Sequence, residues 1–274
     1  MKKILLVGGD SFSDQYCRSY ADTDIITWPI LLAEKLDMTL KCVAQSGAGN
    51  EQIYSSVLDY ISSEDPDNIG MVITGWSKAE RLDYELTHYT KKSGPVVLKD
   101  TKYDFKREYW HNTRVAPRGD IHGWIKKSAR NFYSLQLLCE FHNIPYKQFQ
   151  MISLFSEYVS EYCSTDFKDK RLDCINSLIR CDQYDLINKE NFIGWPIYNE
   201  AGGFVVGDVT VHQDWKHYNK LANDIPTSSY YNSASNIPVK SLNTPKREYV
   251  VGPHDSHPNK AGHELIMEFI YENL

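Results

Sequence analysis

Strand-like and helix-like segments alternate through the first half of the chain, which predicts an α/β protein with parallel strands and helices on both sheet faces. Two observations carry this. The apolar run Ile4-Leu5-Leu6-Val7 has the unbroken hydrophobicity of a strand buried on both faces, and it ends in Gly8-Gly9. Segments with apolar residues at helical spacing then separate the strand-like runs, as at Ile53, Val57 and Ile61.

Each element has a local signal. Thr27-Trp28-Pro29 opens the first helix, with Thr27 as N-cap, proline in the first turn, and Ile30, Leu31, Leu32 and Leu36 on one face. Leu40 to Gln45 reads as the second strand, Ser46-Gly47-Ala48-Gly49-Asn50 as its exit loop, and a helix follows from Glu51. Ile69 to Thr74 is a short buried strand. Arg130 to Asn143 is helical, with Phe132, Leu135, Leu138 and Cys139 in phase, and Pro145 leads into a fourth strand ending near Ile152. The closing helix runs from Asn259 to Glu272, with Ala261, Leu265, Phe269 and Ile270 turned inward. Residues 78–123 and 157–249 break the rhythm. The first is charged and tyrosine-rich; the second holds one expected helix, 167–185, followed by Gly- and Pro-punctuated segments. Both are expected as insertions over the C-terminal edge of the sheet, within a single domain spanning 1–274.

Composition narrows the function classes. A 274-residue chain that is 42% hydrophobic and 24% charged can bury a sizeable core. A net charge of −6 argues against a nucleic-acid partner, which calls for a basic face. No segment approaches the roughly 20 apolar residues of a membrane span. Met1-Lys2-Lys3 and the apolar run after it resemble the start of a signal peptide, but Gly8-Gly9-Asp10-Ser11 interrupts the run too early. Synthesis in the cytoplasm without a signal peptide is therefore expected, and a virion-associated protein would look the same. The six cysteines have neither Cys-x-x-Cys spacing nor scaffold density, so free thiols are expected. Neither Gly-x-Gly-x-x-Gly nor a phosphate loop follows the first strand, and His254, His257 and His263 lack the further ligands of a zinc site.

The chemistry-bearing residues lie at the two ends of the chain. Gly9-Asp10-Ser11-Phe12-Ser13 follows the first strand, and a hydroxyl in a tight turn at a strand's C-terminal end is well placed for a nucleophile. Asp255-Ser256-His257-Pro258-Asn259, just before the last helix, offers the carboxylate and imidazole that a serine needs. As plain structure, Ser11 would be a helix cap and His257 a surface histidine. In parallel sheets ligands gather beyond the strands' C-terminal ends, so the loops after the first three strands should converge on one site.

Together these two segments resemble the first and last motif blocks of the SGNH/GDSL hydrolases. The resemblance covers both ends of the chain, fits the second block at Gly47, and hardly touches the middle. It implies a three-layer α/β/α, flavodoxin-like sandwich with a mainly parallel sheet of about five strands. It also implies ester hydrolysis through an acyl-enzyme on Ser11, with His257 as base, Asp255 as its orienting partner, and no metal or organic cofactor. The family aspartate usually stands three residues before the histidine. That position is His254 here, and the assignment falls on Asp255, two residues before.

The implied oxyanion donors are the N–H groups of Ser11 and Gly47. The family's third block supplies an asparagine in Gly-x-Asn, whereas this chain has Gly75-Trp76-Ser77. Asn50 or Ser77 could fill that role, the alternative for Asn50 being a helix cap. Asp10, Trp76, Arg81 and Trp195 are candidate substrate contacts, with pairing to Glu80 or Asp83 as the alternative for Arg81. The expected partner is a small-molecule or polysaccharide ester, with acetyl the favoured acyl group by analogy with phage and bacterial members. Acyl transfer to a sugar hydroxyl and a non-catalytic glycan-binding module are the competing readings.

Overall fold

The computed structural model describes residues 2–20, 23–79, 81–88, 102–108, 120–152, 154, 177–193, 195, 249–252 and 255–274. At 82, 84–88, 102–108, 250, 252, 255 and 256 it describes the backbone alone.

Five strands, β1 (Ile4–Gly8), β2 (Thr39–Cys42), β3 (Ile69–Trp76), β6 (Tyr146–Gln150) and β7 (Phe192–Ile193), form one sheet in the order β2-β1-β3-β6-β7. Every pairing in it is parallel. The chain moves outward from β1 to β2, then returns across β1 to β3, so the order reverses beside β1. This is the flavodoxin-like winding, in which the crevice at the switch point receives ligands.

Side-chain alternation along β1 divides the core. Leu5 and Val7 point to one face and pack with Trp28 and Leu32 of α1 (Trp28–Lys35) and Ile266 and Ile270 of α4 (Lys260–Tyr271). Leu6 points to the other face, among Ile53, Val57 and Ile61 of α2 (Asn50–Ser63) and Phe132 and Leu135 of α3 (Ile121–Phe141). The result is a three-layer sandwich. Two antiparallel ribbons stand beside it, β4 (Leu82–His88) with β5 (Lys102–Glu108), and β8 (Val250–Gly252) with β9 (Asp255–Pro258). Among the described residues no helix is long and apolar enough to cross a membrane.

Several boundaries differ from the sequence expectation for physical reasons. Helix α3 begins at Ile121, not Arg130, because Asp120 caps it with its carboxylate accepting from Gly123 N–H at 2.8 Å. Ile121, Trp124, Ile125 and Ala129 then extend the buried stripe of Phe132 and Leu135. Strand β3 continues to Trp76 because Gly75 and Trp76 pair with Phe149 and Gln150. Strand β2 ends at Cys42. In α4 the buried face is Gly262, His263, Ile266 and Ile270, while Ala261 is exposed. A polar residue at 263 is buried where an apolar pattern put none. Of the stretch 157–249, only 177–193, 195 and 249 are described, so most of the helix expected at 167–185 lies outside the described residues.

His263 ties two helices of one layer together. Its Nδ1 accepts the N–H of Trp28, the first residue of α1, at 3.3 Å, and its ring meets Tyr20 edge-on at 5.0 Å. Burial, and secondarily the nearby His257, push its pKa down to about 3. The unfolded chain therefore binds a proton near pH 6.5 that the folded protein does not take up until about pH 3. Stability is fully present above pH 6.5 and is lost as the pH falls below it, by up to about 1.4 kcal/mol per pH unit from this group. Urea unfolding at pH 7.0, 6.0 and 5.0 should show this loss in the wild type. His263→Asn, which keeps an acceptor and cannot be protonated, should flatten the dependence; an equal slope in both proteins would refute the assignment.

Candidate active site

Three loops leave the sheet at its C-terminal edge, after β1, β2 and β3, and polar contacts bind them together. Gly9 C=O accepts the N–H of Gln45 at 3.1 Å. Asp14 Oδ2 accepts both the N–H and the hydroxyl of Ser46, at 2.9 and 2.7 Å. At Gly9 a Cβ would collide with the Ser13 side chain, which keeps the turn tight.

Asp10 is fully buried at the centre of this arrangement. Its Oδ1 accepts Phe12 N–H at 3.1 Å, closing the turn around Ser11. Its Oδ2 accepts the Ser77 hydroxyl and Arg81 Nη1, each at 2.9 Å. The same Arg81 nitrogen donates to Ala48 C=O at 3.0 Å. One ion pair, with its side chains 8% and 0% exposed, thus joins all three exit loops. A fourth anchor comes from β4. Asp83 accepts the N–H groups of Gly49 and Gln52 at 2.9 and 3.0 Å, placing a carboxylate on the N-terminus of α2.

Ser11 lies in the turn directly beyond β1 and is buried apart from 7% of its surface. Among the described residues neither its hydroxyl nor its N–H is engaged in a hydrogen bond. The same holds for the N–H of Gly47, whose φ of 77° lies in the left-handed region that favours glycine. The loop tip at Gly47 therefore has a backbone donor that no acceptor among the described residues uses.

His257 lies on β9 and is half-buried. Its ring rests against Phe12, the neighbour of Ser11, at 5.0 Å between centroids, and faces the edge of Tyr20 at 6.1 Å. Its Nδ1 is 3.1 Å from the Ser19 hydroxyl. Asp255 opens the same strand, opposite Gly252, and its side chain lies outside the described residues, as does His254.

Other expected site residues do different work. Asn50 donates both amide hydrogens, to Ser77 C=O at 3.1 Å and Ser128 Oγ at 2.9 Å, and accepts Ser77 N–H at 2.8 Å. It is neither an oxyanion donor in this arrangement nor the cap of α2, a position held by Gly49. Ser77 spends its hydroxyl hydrogen on Asp10. Trp76 is a core residue, with no exposed surface, its ring 4.7 Å from Phe132 and its Nε1 donating to Gln148. Trp195 packs against Phe192 and Tyr184 at 4.9 and 5.4 Å. Arg81 pairs with Asp10, while Glu80, one of its alternative partners, lies outside the described residues; Asp10 itself has no exposed surface to offer a substrate. The roles of Asp14, Ser46, Asp83, Cys17 and Ser19 escaped sequence reasoning. Of these, only Asp83 entered the sequence reading as a partner, the alternative one for Arg81.

No family model matches the sequence, and neither does any curated protein. Solved structures do resemble it. A G-D-S-L family protein from Desulfitobacterium hafniense, described as lipolytic, is 11% identical with TM-score 0.46, covering 99% of each chain. The psychrotrophic esterase EstA of a Pseudoalteromonas species is 13% identical with TM-score 0.45, over 99% of this chain and 96% of that one. An acetyl xylan esterase, AlAXEase, is 11% identical with TM-score 0.42, over 99% of each chain.

Two measurements probe this geometry. Arg81→Met leaves Asp10 buried and unpaired, and should cost about 3–5 kcal/mol in urea unfolding. Asp10→Asn combined with Arg81→Met should cost less than the two single changes added together, since the pair acts as a unit. The second measurement concerns Cys17. Burial pushes its thiol up, but hydrogen bonds to His257 and Ser46 outweigh that and bring it down to about 7. Burial raises Cys42 and Cys181 to about 11 and Cys139 to about 12. Iodoacetamide labelling of Cys17, followed by peptide mass mapping, should therefore accelerate through pH 7 while those three stay inert. A Cys17 labelling midpoint above pH 8.5 would contradict the hydrogen-bonded thiol.

Proposed function

We propose that the protein is a serine ester hydrolase of the SGNH/GDSL type acting on short acyl esters, with acetyl esters of a polysaccharide as the substrate class. The observation that carries this reading is Ser11, in a turn at the sheet's switch point, whose hydroxyl and N–H are uncommitted among the described residues, with the imidazole of His257 packed against the adjoining Phe12. An oxyanion needs donors with no competing acceptor, and the N–H groups of Ser11 and Gly47 meet that condition.

In the reaction, His257 takes the Ser11 proton as Oγ attacks the ester carbonyl, and the carbonyl π electrons move onto oxygen as the oxyanion. Ser11 and Gly47 N–H groups stabilise that charge. Collapse expels the alcohol, which receives its proton from His257, and leaves the acyl group on Ser11. Water, giving a proton to the same imidazole, then releases the acid and restores the hydroxyl. Asp255 is assigned to the imidazolium. The hydrogen bond between Ser11 and His257 forms as substrate binds, since such bonds are commonly loose in the free enzyme.

Hydrolysis of p-nitrophenyl acetate and of an acetylated xylan by the wild type and Ser11→Ala tests the reading. Both substrates should be turned over by the wild type, and Ser11→Ala should lose that turnover by at least about 10³-fold with an unchanged circular dichroism spectrum. Equal rates in the two proteins would overturn it.

A further inference from the structure

We propose that Ser19 is the residue that positions His257, its hydroxyl accepting the imidazole Nδ1–H so that Nε2 keeps its lone pair for the Ser11 proton. This rests on the hydrolase reading and deepens it. A base works only in the right tautomer and orientation, and both are set by what Nδ1 touches. In this chain Nδ1 meets Ser19 Oγ at 3.1 Å.

The backbone around Ser19 is held independently of the imidazole. Starting at Asp10, consecutive turns carry the chain forward. Asp14 N–H bonds Asp10 C=O at 3.0 Å, Cys17 N–H bonds Asp14 C=O at 3.1 Å, and Tyr20 N–H bonds Cys17 C=O at 2.9 Å. Asp14 fixes this run to the β2 exit loop through Ser46, and the Thr23 hydroxyl closes its far end on Tyr20 C=O at 2.7 Å. The segment that presents Ser11 therefore also presents Ser19, and an imidazole 238 positions further along the chain than Ser19 docks onto that hydroxyl. Phe12 and Tyr20, on the same segment, flank the ring.

A hydroxyl acceptor at Nδ1 favours the protonated ring, because the imidazolium keeps the same N–H donor with more positive charge on it. Among the described side chains, the other titratable groups facing His257 are the Cys17 thiol and the Tyr20 phenol from the first loop and His263 from α4. Ser19→Ala and Ser19→Thr keep the backbone N–H of residue 19 that also bonds the Cys17 thiol, so they change the hydroxyl alone.

The test compares wild type, Ser19→Ala and Ser19→Thr by two readouts. Imidazole ¹⁵N spectra, with His257→Gln for assignment, give tautomer and titration directly; p-nitrophenyl acetate hydrolysis gives kcat and KM. The wild-type neutral ring should carry its proton on Nδ1. In Ser19→Ala that preference should weaken, the ring should titrate at lower pH, and kcat should fall at least about tenfold with KM within about twofold. Ser19→Thr, which retains the hydroxyl, should restore all of these. A wild-type ring protonated on Nε2, or a Ser19→Ala protein with unchanged titration or unchanged kcat, overturns the proposal. If Ser11-dependent hydrolysis persists while Ser19→Ala has no effect, the positioning role falls and the hydrolase reading stands. If no Ser11-dependent hydrolysis exists but the ring responds to Ser19→Ala, the hydrolase reading falls and the contact at Nδ1 is upheld.

Discussion

The edge of this sheet depends on a charge that water cannot reach. Asp10 is fully buried one residue before Ser11, and only Arg81 and a few donors make its ionised form tolerable there. Arg81 arrives from beyond β3 and also holds Ala48 of the β2 exit loop. A hydrophobic pair of the same size could fill the space at equal or better stability. It could not direct three separate backbones to one point. Here the value of the ion pair is geometric: it converts three connections, each free to wander by itself, into one rigid rim.

That rim explains why polar residues near the site are poor candidates for chemistry. A hydrogen already donated to a buried partner cannot also stabilise an oxyanion without leaving that partner unsatisfied, at a cost of about 1–3 kcal/mol. Asn50 and the hydroxyl of Ser77 are committed in this way, as is Nη1 of Arg81, and Gln150 adds bonds to the carbonyls of Trp76 and Ser77 from β6. Among the described residues, the backbone N–H groups of Ser11 and Gly47 carry no such commitment. In the proposed reaction these two donors serve the oxyanion, and backbone donors in a fixed loop need no reorganisation when charge develops.

The sequence showed the layers plainly because burial has a period. Ile4 to Val7 and Ile69 to Thr74 were legible as strands, and Ile53, Val57 and Ile61 as a buried helix face, from spacing alone. Helix α3 was shortened because Ile121, Trp124 and Ile125 sit at the end of a charged, tyrosine-rich stretch, where the pattern was diluted. The α4 face was turned because His263 is a buried polar residue, which hydrophobicity does not mark. In the site, Ser11, Gly47 and His257 could be singled out by motif. The partners of Asp10, and the roles of Asp83, Asp14 and Ser19, could not, since a hydrogen bond between residues far apart in the chain leaves no periodic trace.

The neutral state of His263 bears directly on His257. Both rings contact Tyr20, and each proton on one raises the cost of a proton on the other. In the proposed hydrolysis His257 becomes an imidazolium midway through the reaction. Were His263 at the surface, with an ordinary pKa near 6.5, it would be partly charged at the same pH and would oppose that step. Burial against the N-terminus of α1 removes the conflict, because the Trp28 N–H occupies Nδ1 and desolvation forbids the second proton. The helix contact that secures α4 to α1 thereby keeps the neighbouring ring from adding a positive charge beside His257, so one buried side chain serves the packing of a layer and the proposed proton uptake of its neighbour.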